Sequence, residues 1–402
     1  MSGHVEGNAH VTEETVAKSA ETFGRLNQHP EPSARTPWRI GVSSDPNEQC
    51  RRVDEDAHAF IYDFAGLRGQ GYFAVFDGHA GKKAAEYCGL HFHEHLLENL
   101  RKDPSTPIPH LLNATFHAVD TQLSALSAAE GTHSGCTAVT CLLRLEDENG
   151  NPVGEGSGVA PHIVGGEKGK LDGKPGEACE AAEAVGIDPT EGKPGSGEGQ
   201  HPGGSPHDGS VKSKIKSMLS SSGSKLNSLT TSTSATPNPS TENPVTGPAE
   251  VVKAAKRTLY TANAGDARAV LCRGGRAIRL SYDHKAGDAK EMQRIEAAGG
   301  YIANQRVNGY LAVTRSLGDS QMKQFVVGSP YTTETTLRED DDFLILACDG
   351  LWDVCTDQQA VDTIRDTRDP QEASHQLVQY ALGNHSTDNL TVLVVNLRYD
   401  AA

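Results

Sequence analysis

The sequence predicts an α+β protein whose single domain is interrupted once, and two observations predict it. From Trp38 onward, short apolar runs with β character alternate with helix-period segments, and the β-rich pattern that stops near residue 146 resumes near residue 256. Between them the composition changes: residues 149–250 hold 19 Gly, 11 Pro and 14 Ser, 44 of 102 positions, and no Phe, Tyr or Trp. Such a stretch cannot bury enough apolar surface to offset the entropy of ordering it, so it reads as a long disordered insertion. The strands on either side then read as neighbours joined by a very long loop, which interrupts one domain and does not separate two.

In order along the chain, residues 1–36 are polar and weakly patterned, a tail with one helix expected across Glu13–Leu26. The folded domain spans 37–398, broken by the insertion at 147–255, with a short tail at 399–402. Apolar runs predict strands at His58–Asp63, Gly71–Phe76 and Cys136–Leu145, and the intervening segments predict helices at Gly81–Arg101 and Pro109–Leu126. After the insertion, strands are expected at Thr258–Ala262 and Arg268–Arg273, then a helix at Ala289–Ala298 stopped by Gly299-Gly300. Phe343–Cys348 reads as a buried strand, Asp357–Thr367 and Pro370–Gly383 as helices, and Leu390–Leu397 as the last strand. Within the insertion, Val211–Leu229 carries four Lys, many Ser and spaced aliphatics. It reads either as a partner-docking or phosphorylated segment or as a solvated linker.

Charge narrows the function classes. With 37 basic against 53 acidic residues the net charge is −16, which argues against a general nucleic-acid binder and suits cations better. No run approaches the roughly 18–20 apolar residues of a membrane span, and the polar start lacks the apolar core of a signal peptide. Ser at position 2 removes the usual myristoylation signal. The eight cysteines form no C-x-x-C pair and several sit in apolar runs, as expected in a reducing compartment. A soluble intracellular protein is expected.

The informative pattern is an acid placed at the end of an apolar strand, repeatedly. YFAVF leads into Asp77-Gly78-His79, and FLILAC leads into Asp349-Gly350. Asp388-Asn389 precedes LTVLVV, Asp266 lies in the turn AGDAR, and Arg51-Arg52-Val53-Asp54-Glu55-Asp56 brings three consecutive acids to a strand start. Any one Asp-Gly is first of all a turn signal, but turn chemistry does not explain why the strands recur with acid in place of Asn, Ser or Gly. Carboxylates at strand ends converge from distant segments and repel unless a cation compensates. Oxygen donors point to hard divalent ions, Mg²⁺ or Mn²⁺, and not to zinc. Two such ions about 3.5–4 Å apart activate a water and offset phosphoryl charge during in-line attack. His79 then suits a general acid for the leaving oxygen, and Arg51 or Arg52 a clamp for the phosphate.

The ordered set RRVDEDAH (51–58), VFDGHAG (75–81), SGCTAV (134–139), TANAGDARAVL (261–271), YDHKAGD (282–288), EMQRIEAAGG (291–300), VNGYLAVTRSLGD (307–319), LACDGLWDV (346–354) and TDNLTVLVV (387–395) resembles the type 2C, metal-dependent protein serine/threonine phosphatases over residues 37–146 and 256–398. VTRSLGD followed by VVGSPYTTE (326–334) is most similar to fungal members linked to stress-activated MAP kinase pathways. The resemblance implies a four-layer sandwich of two antiparallel β-sheets flanked by α-helices, with two metal ions at one end. It implies that Asp77 bridges both ions, that the Gly78 carbonyl and Glu55 serve one, and that Asp349 and Asp388 serve the other. By the same carry-over Asp56 orients a metal-bound water, Arg51, five residues before Asp56, binds phosphate, and His79 donates a proton. Asp266, with Asp353 nearby, matches the position of a weaker third ion.

The implied reaction is Mg²⁺- or Mn²⁺-dependent hydrolysis of phosphoserine and phosphothreonine in proteins by direct attack of a metal-activated water, with no phosphoenzyme, down-regulating stress kinase signalling. Its partners would be phosphorylated proteins, MAP kinases or their upstream kinases among them, met by a monomer in the cytoplasm and the nucleus. The rival reading is a catalytically inactive pseudophosphatase serving as a binding module; the complete acidic set favours the enzyme. A metal-dependent phosphatase of small molecules is a more distant alternative. Ala267, Ala286 and Cys136 stand where the family often has Ser, Pro and Ser, and none of these departures removes an implied ligand.

Other signals are decoys. No cysteine has Arg six residues later, so thiolate phosphatase chemistry is absent, and GGEKGK (165–170) lacks the following Ser or Thr of a phosphate loop. Gly383-Asn384-His385 reads as a helix end and turn, His91 and His95 as a surface pair on one helix face, Glu339–Asp342 as a solvated turn, and Trp352 as core.

Overall fold

The inner strands of both sheets are covered on both faces, which is why they read as unbroken apolar runs. The computed structural model describes residues 25–30, 36–153 and 255–398. Nearly all of the helix expected at Glu13–Leu26, residues 154–254 of the insertion expected at 147–255, with Val211–Leu229, GGEKGK and Cys179, and the 399–402 tail lie outside the described residues; the first part of that expected insertion is instead ordered, turning back at Asp147 so that Val153 N donates to Leu145 O at 2.8 Å.

In chain order the strands are β1 (Arg39–Asp45), β2 (Ala57–Tyr62), β3 (Gly71–His79), β4 (Gly135–Glu146), β5 (Lys256–Ala264), β6 (Arg268–Arg273), β7 (Arg276–Arg279), β8 (Ile302–Ala303), β9 (Arg306–Val307), β10 (Leu317–Gly318), β11 (Tyr331–Thr336), β12 (Asp341–Ala347) and β13 (Leu390–Asn396). The helices are α1 (Lys83–Lys102), α2 (Ile108–Glu130), α3 (Ala289–Ala297), α4 (Asp349–Trp352), α5 (Asp357–Ile364) and α6 (Pro370–Gly383). One sheet has the order β11-β5-β4-β3-β2, with β10 added at the start of β4; the other has the order β1-β13-β12-β6-β7. Every pairing is antiparallel.

The period-2 alternation of each strand divides its side chains between two cores. From β3, Phe73 and Val75 meet Leu271, Leu344, Leu346 and Leu393 of the opposite sheet. Tyr72, Ala74 and Phe76, pointing the other way, meet Phe92 and Leu96 of α1 and Leu112 and Phe116 of α2. The second sheet does the same: Phe343, Ile345, Val392 and Val394 pack on Val361, Ile364 and Leu377 of α5 and α6. The result is helix, sheet, sheet, helix, the four-layer sandwich that the resemblance implies. α3 and the β8–β9 hairpin share a small separate core of Ile295, Val307 and Val326. Among the described residues no helix is long and apolar enough to cross a membrane.

The strands that flank the insertion are neighbours, in register from Ala138↔Ala264 to Glu146↔Lys256. Within the span read as a tail, Asn27 is held along β2: its amide oxygen accepts from Phe60 N at 2.8 Å and its backbone N donates to Phe60 O at 2.9 Å.

Several expectations are corrected. β3 does not stop at Phe76, because Asp77, Gly78 and His79 continue the ladder opposite Thr137, Cys136 and Gly135. Gly78 and Gly350 are not turn glycines: a Cβ at Gly78 would overlap the Glu55 carbonyl oxygen and one at Gly350 the Asn389 carbonyl oxygen, so both permit close backbone approach. Glu339 and Asp340 form the expected exposed turn, but Asp341 and Asp342 do not belong to it: β12 begins at Asp341, which is buried and paired with Arg273 at 2.7 and 3.0 Å, while Asp342 accepts from Arg398 at 2.8 Å. α5 ends at Ile364, short of Thr367. Strands β1, β7 and β8–β11 carry too little apolar pattern to be read from sequence.

The remaining local readings hold. His91 pairs with Glu94 and His95 with Tyr87, at 2.9 and 3.0 Å. Trp352 is buried, with its indole N–H on Ala347 O at 3.0 Å. α6 ends at Gly383, and His385 follows in a left-handed conformation.

Gly41 lets β1 lie directly against the start of α6, where an added Cβ would overlap the backbone of Pro370 and Gln371. Gly41→Ala is therefore expected to destabilise the fold by about 1–3 kcal/mol in urea titration; a change under about 0.5 kcal/mol would show that this contact yields freely.

Candidate metal centre

Three carboxylates from three separate segments meet at one end of the sandwich. Asp77 comes from the end of β3, Asp266 from the β5–β6 turn, and Asp349 from the junction of β12 with α4, and each offers an oxygen within 4.8 Å of the other two. The sheet ladders fix this convergence: Asp77 lies opposite Thr137 of β4, whose next residue, Ala138, pairs with Ala264 just before Asp266.

The site is electrostatically loaded. Burial pushes the Asp77 carboxyl well above the usual range, and Asp349, Asp56, Asp266 and Asp388 push it further. Asp349 is likewise raised well, by burial and then by Asp266, Asp353 and Asp388. Burial raises Asp56 to about 7, with Asp54 and Asp388 adding to it while hydrogen bonds from Thr391 and Cys348 act against it. Asp266 is raised by burial and held back by Lys285. Asp56 Oδ2 and Asp266 Oδ1 are buried without a hydrogen-bond partner, an arrangement that costs free energy unless a cation or polar group is supplied.

Two basic side chains offset part of this charge. Lys285 Nζ lies 3.4 Å from Asp266 and 3.0 Å from Asp353. Arg51 bonds the Asp388 carboxylate and reaches Thr387 O at 3.2 Å. Glu55 is anchored beside them, its Oε1 accepting from Gly81 N at 2.9 Å and its backbone N donating to Asn389 Oδ1 at 3.1 Å. The Asn389 amide also donates to Pro46 O and Val53 O at 2.8 and 3.2 Å, tying the acidic loop to the start of β13. His79 Nε2 lies 2.7 Å from Asp319 Oδ2.

All residues singled out from sequence thus lie at this end of the fold, in different relations. Asp77, Asp266 and Asp349 form one cluster, and Asp56 and Asp388 are near enough to raise Asp77. Asp266, which the resemblance matches to a third-ion position, stands inside the cluster, and Asp353, exposed, is joined to it through Lys285. Sequence reasoning assigned no chemistry to Asp319, Asn389 or Lys285. The first ends the VTRSLGD motif and the others lie in TDNLTV and YDHKAGD, where only the recurrence of motif around them could have pointed to them.

The Protein phosphatase 2C family profile matches residues 40–147 and 210–390. Protein phosphatase 2C homolog 1 of Saccharomyces cerevisiae is 37% identical over 370 residues, covering 92% of this chain and 97% of that protein. The Schizosaccharomyces pombe protein of the same name is 34% identical, covering 91% of this chain and 75% of its own length. The fold is shared with a solved serine-threonine phosphatase 2C from Toxoplasma gondii, at TM-score 0.56 and 15% identity, over 93% of this chain and 99% of that one. Since the profile spans well over half of its length, the chain belongs to the protein phosphatase 2C family of protein serine/threonine phosphatases.

Proposed function

We propose that this enzyme hydrolyses phosphoserine and phosphothreonine in proteins by direct attack of water, with two Mg²⁺ or Mn²⁺ ions held at the acidic end of the sandwich and a weaker third beside them. The observation that carries the reading is the convergence of Asp77, Asp266 and Asp349. The donor set fits hard divalent ions, being all oxygen, and the unpartnered buried oxygen of Asp266 supplies a ligand atom with nothing else to bind. Asp77, Glu55, the Gly78 carbonyl, Asp349 and Asp388 would hold the pair, and Asp266 with Asp353 the third. When bound, the ions supply Lewis-acid activation of water and offset charge on the phosphoryl oxygens.

The chain's own residues do the rest. Asp56, whose Oδ2 is buried without a hydrogen-bond partner, would orient the attacking water. Arg51 presents a planar fork that can pass from Asp388 to the phosphate. His79, partly exposed beside Asp77, delivers a proton to the departing seryl or threonyl oxygen. The intact acidic set argues against an inactive binding module. The likeness of VTRSLGD and VVGSPYTTE to fungal stress-pathway members supports action on MAP kinases or their activators.

Phosphate release from a phosphothreonine peptide tests the reading. Asp77→Asn is expected to lower turnover by about 100-fold or more with the melting temperature retained, and chelator to abolish turnover of the wild type. Near-wild-type release by Asp77→Asn would overturn the metal assignment.

Linkage gives a second test. Raised folded-state carboxyls mean that the metal-free native state binds more protons than the unfolded chain, so their contribution to stability falls as pH rises from about 4 through about 7 for Asp56. Burial lowers His58 and His93 to about 4 and His284 to about 3, and these groups act oppositely below their ordinary 6.5. The increment produced by Mn²⁺ isolates the carboxylates, because cation and protons compete for them. The rise in melting temperature on adding Mn²⁺ should be small at pH 5.5 and large at pH 8; an equal rise at both would contradict the charge-compensation account.

A further inference from the structure

The fold gives His79 a partner that the proposed reaction leaves unexplained. Asp319 Oδ2 lies 2.7 Å from His79 Nε2, and the Ser316 hydroxyl donates to the same oxygen. Asp319 is buried and follows Gly318 in a tight loop where both residues adopt left-handed backbone, at φ 47° and 83°. That loop is braced from outside: Gly318 N donates to Asp120 Oδ1 of α2 at 2.9 Å, Lys323 Nζ reaches the same oxygen at 2.7 Å, and Asp319 N donates to Ser134 O at 3.3 Å. Gly135 sits directly beneath the pair, where an added Cβ would overlap both Asp319 Oδ2 and His79 Nε2. Two motifs without an assigned task, SGC and SLGD, therefore build one object, a carboxylate held against a single nitrogen of the His79 ring.

We propose that Asp319 is the positioning residue of the leaving-group acid, fixing the His79 ring through Nε2 so that the proton is delivered from Nδ1. The inference rests on the reading of His79 as general acid. In the protonated ring, Nε2–H is donated to Asp319 and the Nδ1 proton is the one free to move. As the phosphorus–oxygen bond breaks, that proton passes to the departing alkoxide oxygen. The ring is left neutral with Nε2–H still on Asp319, and Nδ1 regains a proton from solvent. An unheld ring would rotate about its side-chain bonds and spend little time in the productive orientation.

The discriminating experiment compares Asp319→Asn, Asp319→Ala, His79→Ala and the His79→Ala/Asp319→Ala double variant on a phosphothreonine peptide and on p-nitrophenyl phosphate, whose leaving group needs no proton. Mn²⁺ affinity is measured by calorimetry in each. Asp319→Ala should lose about 10–100-fold in kcat on the peptide and less than about 3-fold on the aryl ester, with Mn²⁺ affinity unchanged. The isosteric Asp319→Asn guards against loss of fold and should show the same substrate split. The double variant should be no slower on the peptide than His79→Ala alone. Equal losses on both substrates, or losses that multiply in the double variant, would overturn the assignment. If His79→Ala shows the split and neither Asp319 variant does, the positioning role alone fails; if His79→Ala shows no split, the general-acid reading fails and takes this inference with it.

Discussion

Mutual repulsion among crowded, half-buried carboxylates is the constraint on which the rest of this structure turns. Asp77, Asp349 and Asp266 are held close together by elements that cannot easily move apart, since each belongs to, or directly adjoins, an inner strand buried on both faces. The sandwich supplies rigidity and the acids supply strain in the charge distribution; neither would hold a cation well without the other. Side chains at the rim show how the chain manages that charge, with Lys285 between Asp266 and Asp353 and Arg51 on Asp388.

Close approach of backbones is the second ingredient. Gly78 admits the Glu55 carbonyl and Gly350 admits that of Asn389, so the acidic loop before β2 and the start of β13 press onto the strands that carry Asp77 and Asp349. Asn389 then joins the two incoming segments by hydrogen bonds to Pro46, Val53 and Glu55. The glycine after each aspartate is thus part of the machinery that gathers ligands from distant parts of the chain, and only incidentally a sign that a strand is ending.

What was legible in the sequence follows from how each element is stabilised. β3, β4, β12 and β13 announce themselves because both faces are apolar, and α1, α2 and α6 because they are long. β11, with the sequence YTTETT, owes its strand conformation to pairing with β5, a long-range cause that leaves no local pattern. The acids of the site were visible as strand-end carboxylates, and the family resemblance ordered them. Asp319 was not, because its importance comes from a loop folded back over Gly135, and neither Ser316 nor Asp120 stands next to it in a pattern that advertises the contact. Asp341 shows the opposite error, an acid in an acidic run that looks solvated until Arg273 is seen to meet it across the sheet.

The antiparallel pairing of β4 with β5 has a consequence for how this enzyme can vary. The metal end of that pair is at Ala138 and Ala264, and the other end, at Glu146 and Lys256, is where the chain departs and returns. The nine-residue length of β5 lies between the two ends, about 27 Å of rigid strand. Chain inserted at the far end begins and finishes about one strand spacing apart, and each doubling of its length adds only about 0.6 kcal/mol of closure entropy. Added length at that end of the pair therefore costs the fold little and lies a full strand's length from the chemistry.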